Sequence, residues 1–142
     1  VAFAALCVGA AQGCLEQAIE RAKTRVVFGR PIGDNQHIAF TIARMRSRVH
    51  AARAVMHDAA RRIDQGLPFT EQASLAKLIG SEAAVANAND ATQIWGGAGF
   101  MNENVVARHL RDCRILTLGE GSTEVQLAII ARSLGFEKSF GA

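Results

Sequence analysis

Ile38-Ala39-Phe40-Thr41-Ile42-Ala43-Arg44-Met45-Arg46-Ser47-Arg48-Val49, continued through Ala52, Met56 and Ala59 to Ile63, decides the fold. Its apolar residues return at Ile38, Ile42, Met45, Val49, Ala52, Met56, Ala59 and Ile63, in alternating steps of four and three. An α-helix brings such positions onto one side, so the pattern describes a long helix packed at a shallow angle in a bundle. Gln65-Gly66-Leu67-Pro68 ends it. Gly66 suits the position after the helix, where a left-handed conformation is needed, and Pro68 cannot continue a helix.

Working outward, Val1 to about Thr24 reads as an Ala-rich helix with Gly9 and Gly13 on one face, which predicts a close crossing with a partner helix there. Its charged end (Glu20, Arg21, Lys23) is expected in water. Arg25 to Gln36 holds Gly29, Pro31, Gly33 and Asp34-Asn35 and reads as a loop. On the other side, Thr70 is a candidate N-cap for a helix reaching about Trp95 and carrying Leu75, Leu78, Ile79, Val85 and Ile94. Gly96-Gly97-Ala98-Gly99 stops it. A shorter helix follows over Asn104 to Ile115, then a Gly-rich turn, then a last helix to Ser133 with Gly135 as its cap. Nothing reads as a strand. The expectation is an all-α, up-and-down antiparallel bundle of three long and two shorter helices, spanning 1–142 as one domain.

Composition narrows the function classes. Nearly half of the 142 residues are hydrophobic, enough for a core. The net charge of +3 comes from basic residues interleaved with acids. The densest basic run (Arg44, Arg46, Arg48, Arg53, Arg61, Arg62) points in several directions on a helix and has no aromatic interleaving, which argues against nucleic-acid binding. Cys7, Cys14 and Cys113 form no CxxC and no even framework, so a reducing, cytoplasmic setting is expected. The first twenty residues contain Gln12, Glu16, Gln17 and Glu20, read as too polar for a membrane span and unlike a signal peptide. Of four histidines, His50 and His57 share a face, but no Cys or carboxylate at matching spacing completes a ligand set; no metal is expected. Gly96-Gly97-Ala98-Gly99 follows a helix instead of a strand, so it is not a dinucleotide-fold fingerprint.

Three loops carry polar groups beside glycine. Leu118-Gly119-Glu120-Gly121-Ser122-Thr123-Glu124 puts a carboxylate between two glycines at the mouth of a helix. Glu120 there is open to close approach by a planar ligand, or is an acid complementing the helix dipole of an ordinary turn. Arg25 is suited to clamp a phosphate and Phe28 to stack on a ring, with Gln36 nearby. Equally, Arg25 is a surface cation and Phe28 a core plug. Gln93 precedes the third, Gly-rich loop.

Taken together, Arg25-Val26-Val27-Phe28-Gly29-Arg30-Pro31-Ile32 with Gln36, Gln93-Ile94-Trp95-Gly96-Gly97-Ala98-Gly99-Phe100, and Arg108-His109-Leu110-Arg111-Asp112 leading to Gly119–Glu124 resemble the C-terminal helical domain of the acyl-CoA dehydrogenase family, over essentially the whole chain. The resemblance implies an FAD-dependent enzyme that places a double bond between the α and β carbons of an acyl-CoA thioester, with Glu120 as the general base. It implies that Arg25, Phe28, Gln36, Gln93 and Gly97 reach the FAD of a neighbouring subunit, and that Ser122 and Glu124 lie beside the flavin of their own. It further implies a homo-oligomer (dimer or tetramer), an electron-transfer acceptor protein and a role in fatty acid metabolism, with Arg132 structural. A carboxylate becomes a useful base toward a weakly acidic proton once water is excluded, although the adjacent helix N-terminus favours the anion. Val27, Ala98, Leu110 and Gly119 depart from common family residues, and Gly119 stands where an aromatic is frequent. These departures leave room for an unusual or bulky acyl group. The family's N-terminal helical and middle β-domains are not in these 142 residues, so the chain, which begins with Val1, is expected to be a fragment with little activity of its own. Two other readings share the fold: a non-catalytic oligomerisation module that contacts FAD, and a flavin oxidase or monooxygenase.

Overall fold

The structure is a computed structural model and describes residues 1–136. Five α-helices carry it: α1 (Ala2–Thr24), α2 (Gln36–Asp64), α3 (Thr70–Trp95), α4 (Val105–Ile115) and α5 (Thr123–Ser133). The expected all-α bundle is therefore present. The seam of α2 behaves as its period requires: Met45, Val49, Ala52 and Ala59 are buried, while Ile63 at the end is exposed. Past Gln65, Gly66 sits at φ +66°, its N–H donating to the Ile63 carbonyl and that of Leu67 to the Arg62 carbonyl. That pair of bonds satisfies two terminal carbonyls that the helix leaves open. Gly135 closes α5 with the same two bonds, from Gly135 to Arg132 and from Phe136 to Ala131.

The register of the long helices is readable from their cross-links. Cys7 lies at Gly80, Asn87 bonds the Ala11 carbonyl and Trp95 bonds the Gln17 carbonyl, so α1 and α3 run parallel. Arg53 of α2 bonds Gln12 and Arg48 bonds Asp90, so α2 runs against both. α1 buries Ala4, Cys7, Val8, Ala11, Cys14, Leu15, Ala18 and Ala22, a helical stripe of small residues with one leucine and one valine. α3 lies between its neighbours and buries Ala76, Gly80, Ala84, Ala88 and Ala91. The larger residues expected to carry its core, Leu75, Leu78, Ile79 and Val85, are only half-buried; Ile94 alone is fully inside. Small side chains face inward on α3 because the helices approach closely, and close-packed interiors leave no room for a second large layer.

Four further expectations are corrected. The closest crossing falls at Gly80, where a Cβ would stand 3.1 Å from the Cys7 Cβ; of the two glycines on α1, Gly13 faces His109 of α4 at 3.6 Å, but Gly9 has nothing within 4 Å. Arg21 is half-buried, its guanidinium carbon 5.0 Å from the centroid of the Trp95 ring. A short antiparallel ribbon pairs Val26–Val27 with Arg30–Pro31, Val26 opposite Pro31 and Val27 opposite Arg30. Its two turn residues, Phe28 and Gly29, have φ +51° and +79°, the signature of a type I′ hairpin. A phenylalanine in that conformation gives no turn signal in sequence. Finally, Thr70 is the first helical residue of α3 and Phe69 holds the N-cap position.

Among the described residues α1 is long and apolar enough to cross a bilayer by length and composition, contrary to its polar reading in sequence. Its buried stripe is taken up by α3 and α2. The basic run of α2 is solvated and paired: Arg48 with Asp90 at 2.6 Å, Arg61 and Arg62 with Asp58.

Asn87 is fully buried where three helices meet. Its Nδ2 donates to the Ala11 carbonyl (3.1 Å) and the Met45 carbonyl (3.2 Å), and its Oδ1 accepts from Arg48 Nη1 (3.2 Å). Asn87→Ala removes all three bonds and leaves a cavity. The expected loss is about 2–3 kcal/mol, read as a lower urea midpoint at unchanged slope.

Candidate functional site

The candidate residues form two groups at opposite ends of the bundle. Arg25 directly follows α1, Phe28 tips the ribbon and Gln36 opens α2, where Asn35 caps the helix by accepting from the His37 N–H at 2.9 Å. The ribbon is fixed to this end by the Ile32 N–H donating to the Arg25 carbonyl at 2.9 Å. Gln93 lies at the last turn of α3, and Gly96–Phe100 coils into a 3-10 turn after it. Trp95 ties that turn to α1 through its indole N–H on the Gln17 carbonyl (3.1 Å). Thus the structure brings Arg25, Phe28, Gln36, Gln93 and Gly97 to one end, all exposed. Phe28 is 100% exposed and Phe100 82%. Among the described residues no hydrogen bond or ion pair holds the side chains of Arg25, Gln36 or Gln93. Within the adjacent turn, Gly99 is required by space, since a Cβ would fall 2.8 Å from the Thr92 carbonyl oxygen.

Glu120 stands at the other end, roughly 30 Å away along α1 at 1.5 Å per residue. α4 runs back toward the start of α1 and closes with the Gly119 N–H on the Ile115 carbonyl at 2.8 Å. Glu120 then takes φ +54° and Gly121 φ +86°. For a residue with a Cβ that conformation costs about 1–2 kcal/mol. Buried Gln126 holds it there, its Nε2 donating to the carbonyls of Glu120 (3.3 Å) and Gly121 (3.2 Å). A Cβ on Gly121 would lie 2.7 Å from that nitrogen, so this position needs glycine. Ser122 occupies the N-cap of α5 with extended backbone but makes no capping bond with its side chain. Ser122 and the backbone N–H of Glu124 hold the Glu124 carboxyl below the usual carboxylate range.

The exposed Glu120 borders an open cleft of about 280 Å³ with Phe3, Phe69, Ser74, Lys77 and Gln126. The Phe3 ring reaches within 3.6 Å of where a Gly119 Cβ would stand, so an aromatic from α1 fills the side that glycine leaves open. Lys77 is the residue here that sequence reading missed. It is buried, its Nζ has no hydrogen-bond partner among the described residues, and it lies 5.7 Å from the centroid of the Phe3 ring. A buried unpaired ammonium costs several kcal/mol, of which the ring returns about 1–2. The only sequence signal was an apolar neighbourhood around a lysine on a helix face. Arg21, its Nε also buried without a hydrogen-bond partner among the described residues, does the comparable job against Trp95 at the far end.

The helical domain thus carries a strained carboxylate, without a side-chain hydrogen bond among the described residues, over a cleft at one end and exposed polar and aromatic groups at the other. Residues 1–135 match the family described as acyl-CoA dehydrogenase, C-terminal domain. The chain belongs to the acyl-CoA dehydrogenase family. It is 44% identical over 134 residues to an acyl-CoA dehydrogenase of Bacillus subtilis (strain 168), covering 94% of this chain and 35% of that protein. It superposes with a TM-score of 0.92 on butyryl-CoA dehydrogenase from Megasphaera elsdenii at 40% identity, covering 93% of this chain and 34% of that one. The FAD complex of PigA gives a TM-score of 0.90 at 35% identity, covering 94% and 35%. The chain thus spans about a third of the length of the relatives it matches.

Relief of the strain at the turn is measurable in this chain. Glu120→Gly is expected to stabilise it by about 0.5–1 kcal/mol, net of the freedom glycine adds to the unfolded chain, seen as a higher urea midpoint. Gly121→Ala, which drives a Cβ into Gln126, is expected to lower that midpoint.

Proposed function

We propose that these residues are the C-terminal, base-bearing domain of a longer FAD-dependent acyl-CoA dehydrogenase that oxidises the α,β bond of an acyl-CoA thioester. Glu120 takes the α-proton at its carboxylate. FAD, when bound, supplies the hydride acceptor for the β-carbon.

The single observation that carries the proposal is the division of the candidate residues between two ends. One copy presents Glu120, Ser122 and Glu124 roughly 30 Å from Arg25, Phe28, Gln36, Gln93 and Gly97. A cofactor that touches both groups needs two copies, each giving a different end. This supports a homo-oligomer in which Arg25 pairs with the diphosphate of a neighbour's FAD. Gln36, Gln93 and the backbone at Gly97 then add hydrogen bonds, and Phe28 packs against that subunit. The donor set fits such a group: a guanidinium and amides with no hydrogen-bond partner among the described residues, and a bare backbone, all open to solvent. The fully exposed Phe28 fits burial at an interface, since a lone aromatic held in a left-handed turn gains nothing from water. Ser122 and Glu124, at the mouth of α5, lie on the side of the chain's own flavin. Reduced cofactor then passes its electrons to an acceptor protein. We place the enzyme in the cytoplasm and in fatty acid metabolism; three unpaired cysteines fit a reducing compartment.

The test is Glu120→Gln in the full-length holoenzyme. Anaerobic bleaching of the flavin by acyl-CoA should slow by at least a hundredfold, the range for loss of a general base, while bound FAD and oligomeric state stay unchanged. Bleaching at the wild-type rate would instead make Glu120 vestigial and the domain an assembly module. Rapid oxygen consumption without an acceptor protein would identify an oxidase or monooxygenase.

A further inference from the structure

The crossing of α1 and α4 collects three soft ligands that the reaction does not use. Cys14 is fully buried on α1, Cys113 is buried on α4, and His109 lies one helical turn before Cys113 on the same face. Their two Sγ atoms and an imidazole nitrogen all lie within 4.8 Å of one another. The imidazole rests against α1 at Gly13, its Nε2 3.6 Å from where a Cβ would stand, and so reaches the backbone beside Cys14. In sequence the set is invisible, because Cys14 is separated from the other two by most of the chain.

We propose that Cys14, His109 and Cys113 form a binding site for a thiophilic d¹⁰ metal ion of the Zn²⁺ or Cu⁺ type, which clamps α4 to α1. The geometry is close to what such an ion needs. The centre of a triangle of this size lies about 2.8 Å from each corner, within about half an ångström of a zinc–sulfur bond, and small rotamer changes close the gap. Charge balances as well: two thiolates and a neutral imidazole neutralise a divalent ion without leaving a buried net charge. Binding of the metal releases the thiol protons of both cysteines to solvent. Half-buried His109 marks the side from which the ion enters. Thiolate and imidazole select soft ions over Mg²⁺ or Ca²⁺. The site is separate from the cofactor reading, so each stands or falls alone.

Cadmium is the probe, because thiolate–cadmium charge transfer absorbs in the near ultraviolet. Titration of the reduced chain with CdCl₂ should give a band that saturates at one equivalent and is unaffected by excess Mg²⁺, and should raise the melting temperature. Cys113→Ser should abolish the band, and His109→Asn, a half-buried and conservative change, should weaken binding at least tenfold with helical circular dichroism retained. Cys7→Ser, which removes a buried thiol outside the set, should leave the band and its stoichiometry intact. The proposal is overturned if the wild-type chain gives no one-equivalent band, if Cys113→Ser or His109→Asn binds as the wild type does, or if Cys7→Ser loses the band.

Discussion

One buried amide sets the geometry on which the rest depends. Asn87 has no exposure, and its donors reach main-chain carbonyls of two other helices, Ala11 on α1 and Met45 on α2. Helix–helix faces made largely of alanine can slide, because small side chains interlock weakly. A carboxamide bonding two backbones at once cannot follow such a slide without leaving a polar group unsatisfied in a dry interior. Arg48 extends the constraint outward by bridging Asn87 to Asp90. A single side chain thereby fixes the heights of three helices against one another, and hence the positions of the loops at both ends.

Backbone strain coincides with those loops. Phe28 and Glu120 are the non-glycine residues with positive φ among those described, one at each end. Neither conformation repays itself through local contacts: Phe28 is fully exposed, and Glu120 makes no side-chain hydrogen bond among the described residues. Strain persists where surrounding structure imposes it, here a two-residue hairpin and the clamp of Gln126. Both side chains are thus held out from the body of the bundle, which is what contact with a second molecule requires.

How much of this was legible depended on whether the signal was periodic or pairwise. The α2 seam and its Gly66 terminus were readable because a heptad-like repeat and a left-handed glycine leave marks at fixed spacing. The polar residues of the two ends were readable from their glycine neighbours and from the family resemblance. Three features were not. The ribbon escaped because its αL residue is Phe28, a poor turn former held by strand pairing. The inward face of α3 escaped because, apart from Ile94, it is alanine, glycine, serine, Lys77 and Asn87, while Leu75 and Leu78 looked more like core. The meeting of Cys14 with His109 and Cys113, and of Asn87 with Ala11 and Met45, are long-range facts that no local window contains. Close helix approach explains the last two: it selects small residues inside, places Gly80 at the crossing, and draws buried polar atoms onto neighbouring backbones.

The cleft beneath Glu120 also bears on why a base here needs more than this domain. The carboxylate is exposed and water reaches it freely, a condition under which it is a weak base toward carbon acids. Its neighbours are nonetheless those of an interior: Phe3, Phe69 and a buried Lys77 whose ammonium finds only an aromatic ring. Covering the cleft removes water from Glu120, beside a Lys77 that is already buried. Each then lies in a lower dielectric, where an unpaired charge is expensive and the attraction between opposite charges grows. Lys77, which lines the same cleft, therefore offsets part of the penalty of drying the acid. In the proposed reading, substrate binding supplies that cover, so the carboxylate is dried only when a thioester is there.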